Sequence, residues 1–323
     1  TVSGVAALDK TYDGSVTAII DSSSAVYSGF VSGDDFAASY SGVFANANVG
    51  SGKTVTITSS YAGADVSNYN ITNQSSTTAD INKKVLLLST FSASDKAYDG
   101  NNTPTISSAV SGFVGSETVS HSMTATFDNK NVGSNKVVTA NSITLADGTN
   151  GGLASNYSIS TGQTTTANIT AKSLTVSGII ASSKTYDGSA SATLDTSSVL
   201  YSGLVSGDTF TGSYTGAFSN ANVGTGKTVT ITSSYSGADS GNYSVTDQSS
   251  TTADISTKAL TATASASNKT YDGATTASTT LTFTGLVGSE TLAQTVGSTF
   301  DNKNVGSNKS VSVNSITLTD GSG

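Results

Sequence analysis

With 323 residues, a net charge of −8 and a pI near 4.4, the chain offers no basic face to nucleic acid. All 14 basic residues are Lys, and Arg, the favoured reader of bases and phosphates, is absent. Cysteine is absent too, which excludes disulfides, thiolate nucleophiles and zinc-thiolate sites, and no apolar run approaches the length of a membrane-spanning helix.

The first recognisable element is Lys10-Thr11-Tyr12-Asp13-Gly14, and Tyr-Asp-Gly recurs at residues 98–100, 186–188 and 271–273. The steps of 86, 88 and 85 residues are longer than a solenoid repeat, and each is long enough to bury a core of its own. Asp-Gly after a strand residue is a turn signal: Gly permits positive φ and Asp accepts from nearby backbone N–H groups. The neighbouring Tyr is expected to pack across a sheet with its hydroxyl on a polar partner. Next come Gly29-Phe30-Val31 ahead of a Ser-Gly-Asp turn, then Phe44-x-Asn46-x-Asn48-Val49-Gly50, a buried ring followed by an Asn-rich turn. Thr54-Val55-Thr56-Ile57-Thr58 alternates with period two, the mark of a half-buried antiparallel strand. Gly63-Ala64-Asp65 with Asn68-Tyr69 resembles the tyrosine corner of immunoglobulin-like sandwiches. Ala79-Asp80-Ile81 then runs, without Gly or Pro, almost directly into Val85-Leu86.

Residues 1–84 align without gaps to 175–258, with 57 identities, whereas 85–174 align to 259–323. The modules are therefore 1–84 and 175–258 of type A, and 85–174 and 259–323 of type B. Alternation separates near-identical neighbours that would otherwise exchange strands during folding; duplication of a two-module unit explains the order equally well. The partner of the fourth module continues through Asn156-Tyr157 to Ile169, while this chain stops at Gly323. Either it was cut there from a longer chain, or a neighbouring chain supplies a strand to the open edge. Turn signals every 8 to 14 residues suit about seven short strands per module. The expected fold is all-β: a tandem array of immunoglobulin-like antiparallel β-sandwiches whose short links make an elongated rod.

Lys-Thr-Tyr-Asp-Gly, Gly-Leu-Val-Ser-Gly-Asp, Phe-x-Asn-x-Asn-Val-Gly and Gly-Ala-Asp-x-x-Asn-Tyr, in this order, resemble the YDG domain and the related bacterial MBG domain. That resemblance covers the whole chain and implies tandem repeats of large secreted bacterial surface proteins, including filamentous-haemagglutinin-like adhesins. It implies an extracellular stalk or fibre shaft and brings no catalytic or cofactor residues.

The remaining chemistry is thin. Asp34-Asp35 and Asp208 lie in turns of a kind calcium favours, but no calcium-loop motif is present, and Glu117 and Glu290 read as one residue later in the B-type turn. Lys10, Asn68 and Asp65 are candidates for an internal isopeptide cross-link, supplying amine, amide and acid. His121, the only His, has no counterpart in its partner module, so an enzyme is not expected. A carbohydrate or host-matrix site built from some of the 13 Tyr is the rival to a stalk, and other copies of the chain are expected partners through strand donation or end-to-end contacts.

Overall fold

The computed structural model describes residues 1–321. It divides into two compact units, Thr1–Ala171 and Lys172–Gly323. Apart from three single-turn 3-10 segments, every regular element among the described residues is a β-strand.

In the first module the period-two segment lies within the strand Gly50–Ala62, which buries Val55 and Ile57 and turns its threonines outward. This strand pairs antiparallel with Ala37–Phe44 on one side and Ser76–Asn82 on the other. Thr17–Ala18 and Lys10–Thr11 complete a five-stranded sheet at its two edges. Facing it are the short pairs Val2–Ser3 with Val26–Tyr27 and Ala6–Ala7 with Ile20–Asp21. Val2 and Val5 close on Ile57, and Tyr27, Tyr40 and Tyr61 pack round that small core.

The sheets are mixed, not purely antiparallel as expected. Lys10–Thr11 runs parallel to Ser76–Asn82, and Lys84–Ala93 runs parallel to Tyr157–Ile159. The opening segment and the closing strand point the same way, as they must in a module that takes the chain in at one end and hands it on at the other.

The second module begins at Lys84–Ala93, two residues after the first module's closing strand, so the expected direct link is present. Its larger sheet runs in the order Lys96–Ala97, Thr164–Thr170, Gly133–Asp147, Val119–Phe127. Burial does not stop at the link. Tyr12, Phe44, Val55 and Ile81 of the first module form one cluster with Leu86, Val119 and Tyr157 of the second. The expectation of one core per module misses this continuity.

In the second unit, the third module repeats the first. Gly224–Ser236 lies at the centre of a five-stranded sheet, and Phe218, Val229 and Ile255 form its core. The fourth module has Thr276–Ala277, Leu292–Phe300 and Val311–Asp320 in one sheet, and Thr261–Ala266 with Thr279–Thr284 in the other. It has no closing strand among the described residues.

Candidate functional site at the module junction

Each Lys-x-Tyr-Asp-Gly element is a knot tied by its lysine. Lys10 Nζ donates to Asp13 Oδ1 at 2.8 Å, Ser15 O at 2.7 Å and Thr17 O at 3.0 Å, and lies 5.6 Å above the Phe44 ring. Lys184 and Lys269 bind their own Asp187 and Asp272 in the same way, over Phe218 and Phe300. Asp13 Oδ1 also accepts the Ser15 N–H at 2.9 Å. Burial alone would raise the Asp13 carboxyl; the Lys10 ammonium and the Ser15 N–H outweigh it and hold the group below the usual carboxylate range. Gly14 has φ +74°, the left-handed conformation that the sequence predicts.

A second recurrent element is an acid turn closed by a tyrosine. Tyr157 Oη accepts the Val114 N–H at 3.1 Å and donates to Glu117 Oε2 at 2.6 Å. Tyr69 does the same with Val31 and Asp34, and Tyr243 with Val205 and Asp208. The hydroxyl ties loop to strand, as the tyrosine-corner reading requires. The acids do not differ in register, however. Asp34, Glu117, Asp208 and Glu290 each follow their Val by three residues and donate their N–H to its carbonyl, so the expected one-residue offset is corrected.

The two elements meet between the first and second modules. Tyr12 Oη donates to Glu117 Oε1 at 2.7 Å, so one carboxylate holds a tyrosine of its own module on one oxygen and a tyrosine of the preceding module on the other. The two rings meet edge to face, 5.5 Å between centroids. Asn156 Oδ1 accepts the Val49 N–H at 2.9 Å, and its amide donates to Asn48 at 3.2 Å. Tyr12, Asn156 and Tyr157 are at most 4% exposed. Burial, reinforced by Glu117, pushes the Tyr12 hydroxyl up to about 12 and raises that of Tyr157. A Cβ on Gly14 would lie 3.0 Å from Val114 Cγ1, so this glycine serves the junction as well as its turn. The second unit repeats the arrangement: Tyr186 donates to Glu290, and Gly188 faces Val287 at 2.9 Å.

The other sequence candidates are placed elsewhere. Lys10 does not meet Asp65 and Asn68: Lys10 and Gly50 both pair with Ile81, whereas Asp65 follows the far end of Gly50–Ala62, about 40 Å along a 13-residue strand. Asp65 instead accepts the Asp35 N–H, and Asp35 the Ala64 N–H. The turn carboxylates Asp34 and Asp208 accept tyrosine hydroxyls, and among the described residues no three acidic, His or Cys side chains gather as a metal site. His121 is half-buried on Val119–Phe127, with Nε2 2.9 Å from Ser108 Oγ. Gln294, in its place in the fourth module, likewise bridges to the neighbouring strand at Leu281.

Sequence reading overlooked a second lysine, seven residues after the first Asn of each Asn-rich turn. Lys53, Lys136, Lys227 and Lys309 donate to Asn46, Asn129, Asn220 and Asn302 at 2.6–2.7 Å. The signal was available, since Gly-x-x-Lys follows the turn in all four modules.

A junction of this kind, built from side chains that recur in every module, defines a repeat array. The YDG domain matches residues 1–79, 82–167, 170–253 and 256–323, and the chain belongs to that family. No curated protein and no solved structure matches it.

Proposed function

We propose that the chain is the structural repeat region of a bacterial cell-surface or secreted adhesin or filament, a stalk or fibre shaft outside the cell. In this reading the modules are immunoglobulin-like sandwiches set end to end as a rod, with no catalytic role and no cofactor. The single observation that carries it is the junction. The same tyrosine, acid and glycine join the first module to the second and the third to the fourth. The residues richest in chemistry are thus spent on holding neighbours together. Short links and a buried hydrogen-bonded interface both restrict rotation, which suits a part whose task is to transmit length and load. Contacts between copies that suit this reading are end to end.

Small-angle scattering on the full chain tests the rod: a maximum dimension several times the cross-section supports it, and a compact particle refutes it. Saturable binding on a glycan or matrix-protein array would replace the stalk with a ligand-binding module.

A further inference from the structure

We infer that Asn150 is a self-modifying site, a slow chemical timer that loosens the joint between the first and second modules. Asn150-Gly151 is the only Asn-Gly pair in the chain. It lies in the loop 148–153, which leads from the strand Gly133–Asp147 to Asn156 and Tyr157. The first and third modules fill the same place with Gly63-Ala64-Asp65 and Gly237-Ala238-Asp239, whose side chains carry no amide.

The chemistry needs only water. Asparagine is among the thermolabile residues that heat-adapted proteins avoid, and a following glycine has no side chain to shield its amide nitrogen. The Gly151 nitrogen attacks Asn150 Cγ: the N–Cγ bond forms, the Cγ–Nδ2 bond breaks, and the nitrogen's proton leaves with the amide as ammonia. Water then opens the five-membered imide at either carbonyl, giving Asp or its β-linked isomer. Both residues are exposed, and a Cβ built on Gly151 meets nothing within 4 Å, so the ring has room to form. Asn150 at φ +56° and Gly151 at φ +87° are the residue types that hold a left-handed turn with least strain.

The amide that reacts is also a clasp. Asn150 Nδ2 donates to Ser116 O at 3.0 Å and so holds the turn that presents Glu117. Beside it the Thr118 N–H donates to Thr149 O at 3.2 Å, and the Thr149 N–H to Thr118 Oγ1 at 3.1 Å. A Cβ on Gly148 or Gly152 would lie 2.1 or 1.9 Å from Thr118 O, so here backbone rests directly on backbone. Conversion replaces the clasp's donor with a carboxylate facing a carbonyl oxygen, two acceptors with no proton between them. The β-linked product also adds a backbone atom to a loop packed without slack. That loop touches the Glu117 turn on one side and runs into Asn156 and Tyr157 on the other, so both parts of the second module's acceptor shift together. Because Ser116 holds the amide, the ring closes only when the clasp opens, and the loop itself sets the rate.

The test ages the full chain in mildly alkaline buffer and maps its peptides by mass over time, with an isoaspartyl methyltransferase to mark the β-linked isomer. Asn150 is expected to convert ahead of every other asparagine, and the Tm of the unit Thr1–Ala171 to fall by about 2–4 °C as it does, the loss of about one hydrogen bond. Asn150→Asp should show that lowered Tm from the start, and with it a smaller coupling between Tyr12 and Glu117. Asn150→Ser cannot form the imide and should show no loss with time. An Asn150 that outlasts the other asparagines, a converted chain that melts like the fresh one, or full Tyr12–Glu117 coupling in Asn150→Asp each overturns the assignment. None of these outcomes bears on the stalk reading, which scattering tests separately.

Discussion

Removing one hydroxyl at the junction tests whether Glu117 joins two modules or merely decorates a loop. Tyr12→Phe deletes the donor to Glu117 Oε1 and leaves the ring in its edge contact with Tyr157. A hydrogen bond to an ionised group contributes about 1.5–3 kcal/mol. Glu117 keeps Tyr157 at 2.6 Å, so the loss should fall at the lower end, about 1.5 kcal/mol. For a unit of 171 residues that lowers Tm by about 3–6 °C. Glu117→Ala should cost more, about 2–6 kcal/mol, because two buried hydroxyl donors lose their acceptor together. The decisive quantity is the coupling in the double-mutant cycle, read by calorimetry at pH 7. If Tyr12→Phe costs the same in the Glu117→Ala background as in the native chain, the hydroxyl and the carboxylate are independent and the junction does not work as described.

The same hydroxyl sets an alkaline limit. Its folded pKa, near 12, lies above the ordinary value of 10.0, so its stabilisation is complete below pH 10 and is lost as pH rises to 12. About 2–3 kcal/mol disappears over that window, and urea unfolding of Tyr12→Phe should show a shallower decline than the native chain. Gly14→Ala and Gly273→Ala share a φ near +75°, but only the first meets a neighbour within 4 Å. Both should lose about 1–2 kcal/mol from backbone strain, and an extra loss at Gly14 in thermal melts measures the contact with Val114. Equal losses would remove Gly14 from the junction.

Much of the local structure was legible because it depends on near neighbours in the sequence. Asp13-Gly14 is an Asx-type turn with positive φ, and Thr54–Thr58 alternates as a strand, each for reasons contained within five residues. The joint of Tyr12 to Glu117 spans 105 residues, and nothing in either motif names the other. Two signals stood in the sequence nonetheless. The acids keep a constant place three residues after Val31, Val114, Val205 and Val287, which shows one role for Asp and Glu. The invariant tyrosine beside an already sufficient Asp-Gly turn had no local task. The parallel pairings were hidden for another reason: alternation fixes which face a residue occupies and says nothing about the direction of the partner strand.

What makes the joint more than glue is that its carboxylate has two oxygens with different owners. Oε2 of Glu117 is taken by Tyr157, which also receives the Val114 N–H and so closes the loop of its own module. Oε1 is taken by the preceding module. The loop that presents Glu117 is thus fixed by the same tyrosine whose ring forms one wall of the Tyr12 pocket. A second module with its corner open offers the first neither a positioned acceptor nor an apolar wall. Folding within one module and docking between two are coupled through a single side chain. Parting the first module from the second therefore has to break a folded corner and a buried junction together, not a flexible tether between independent beads.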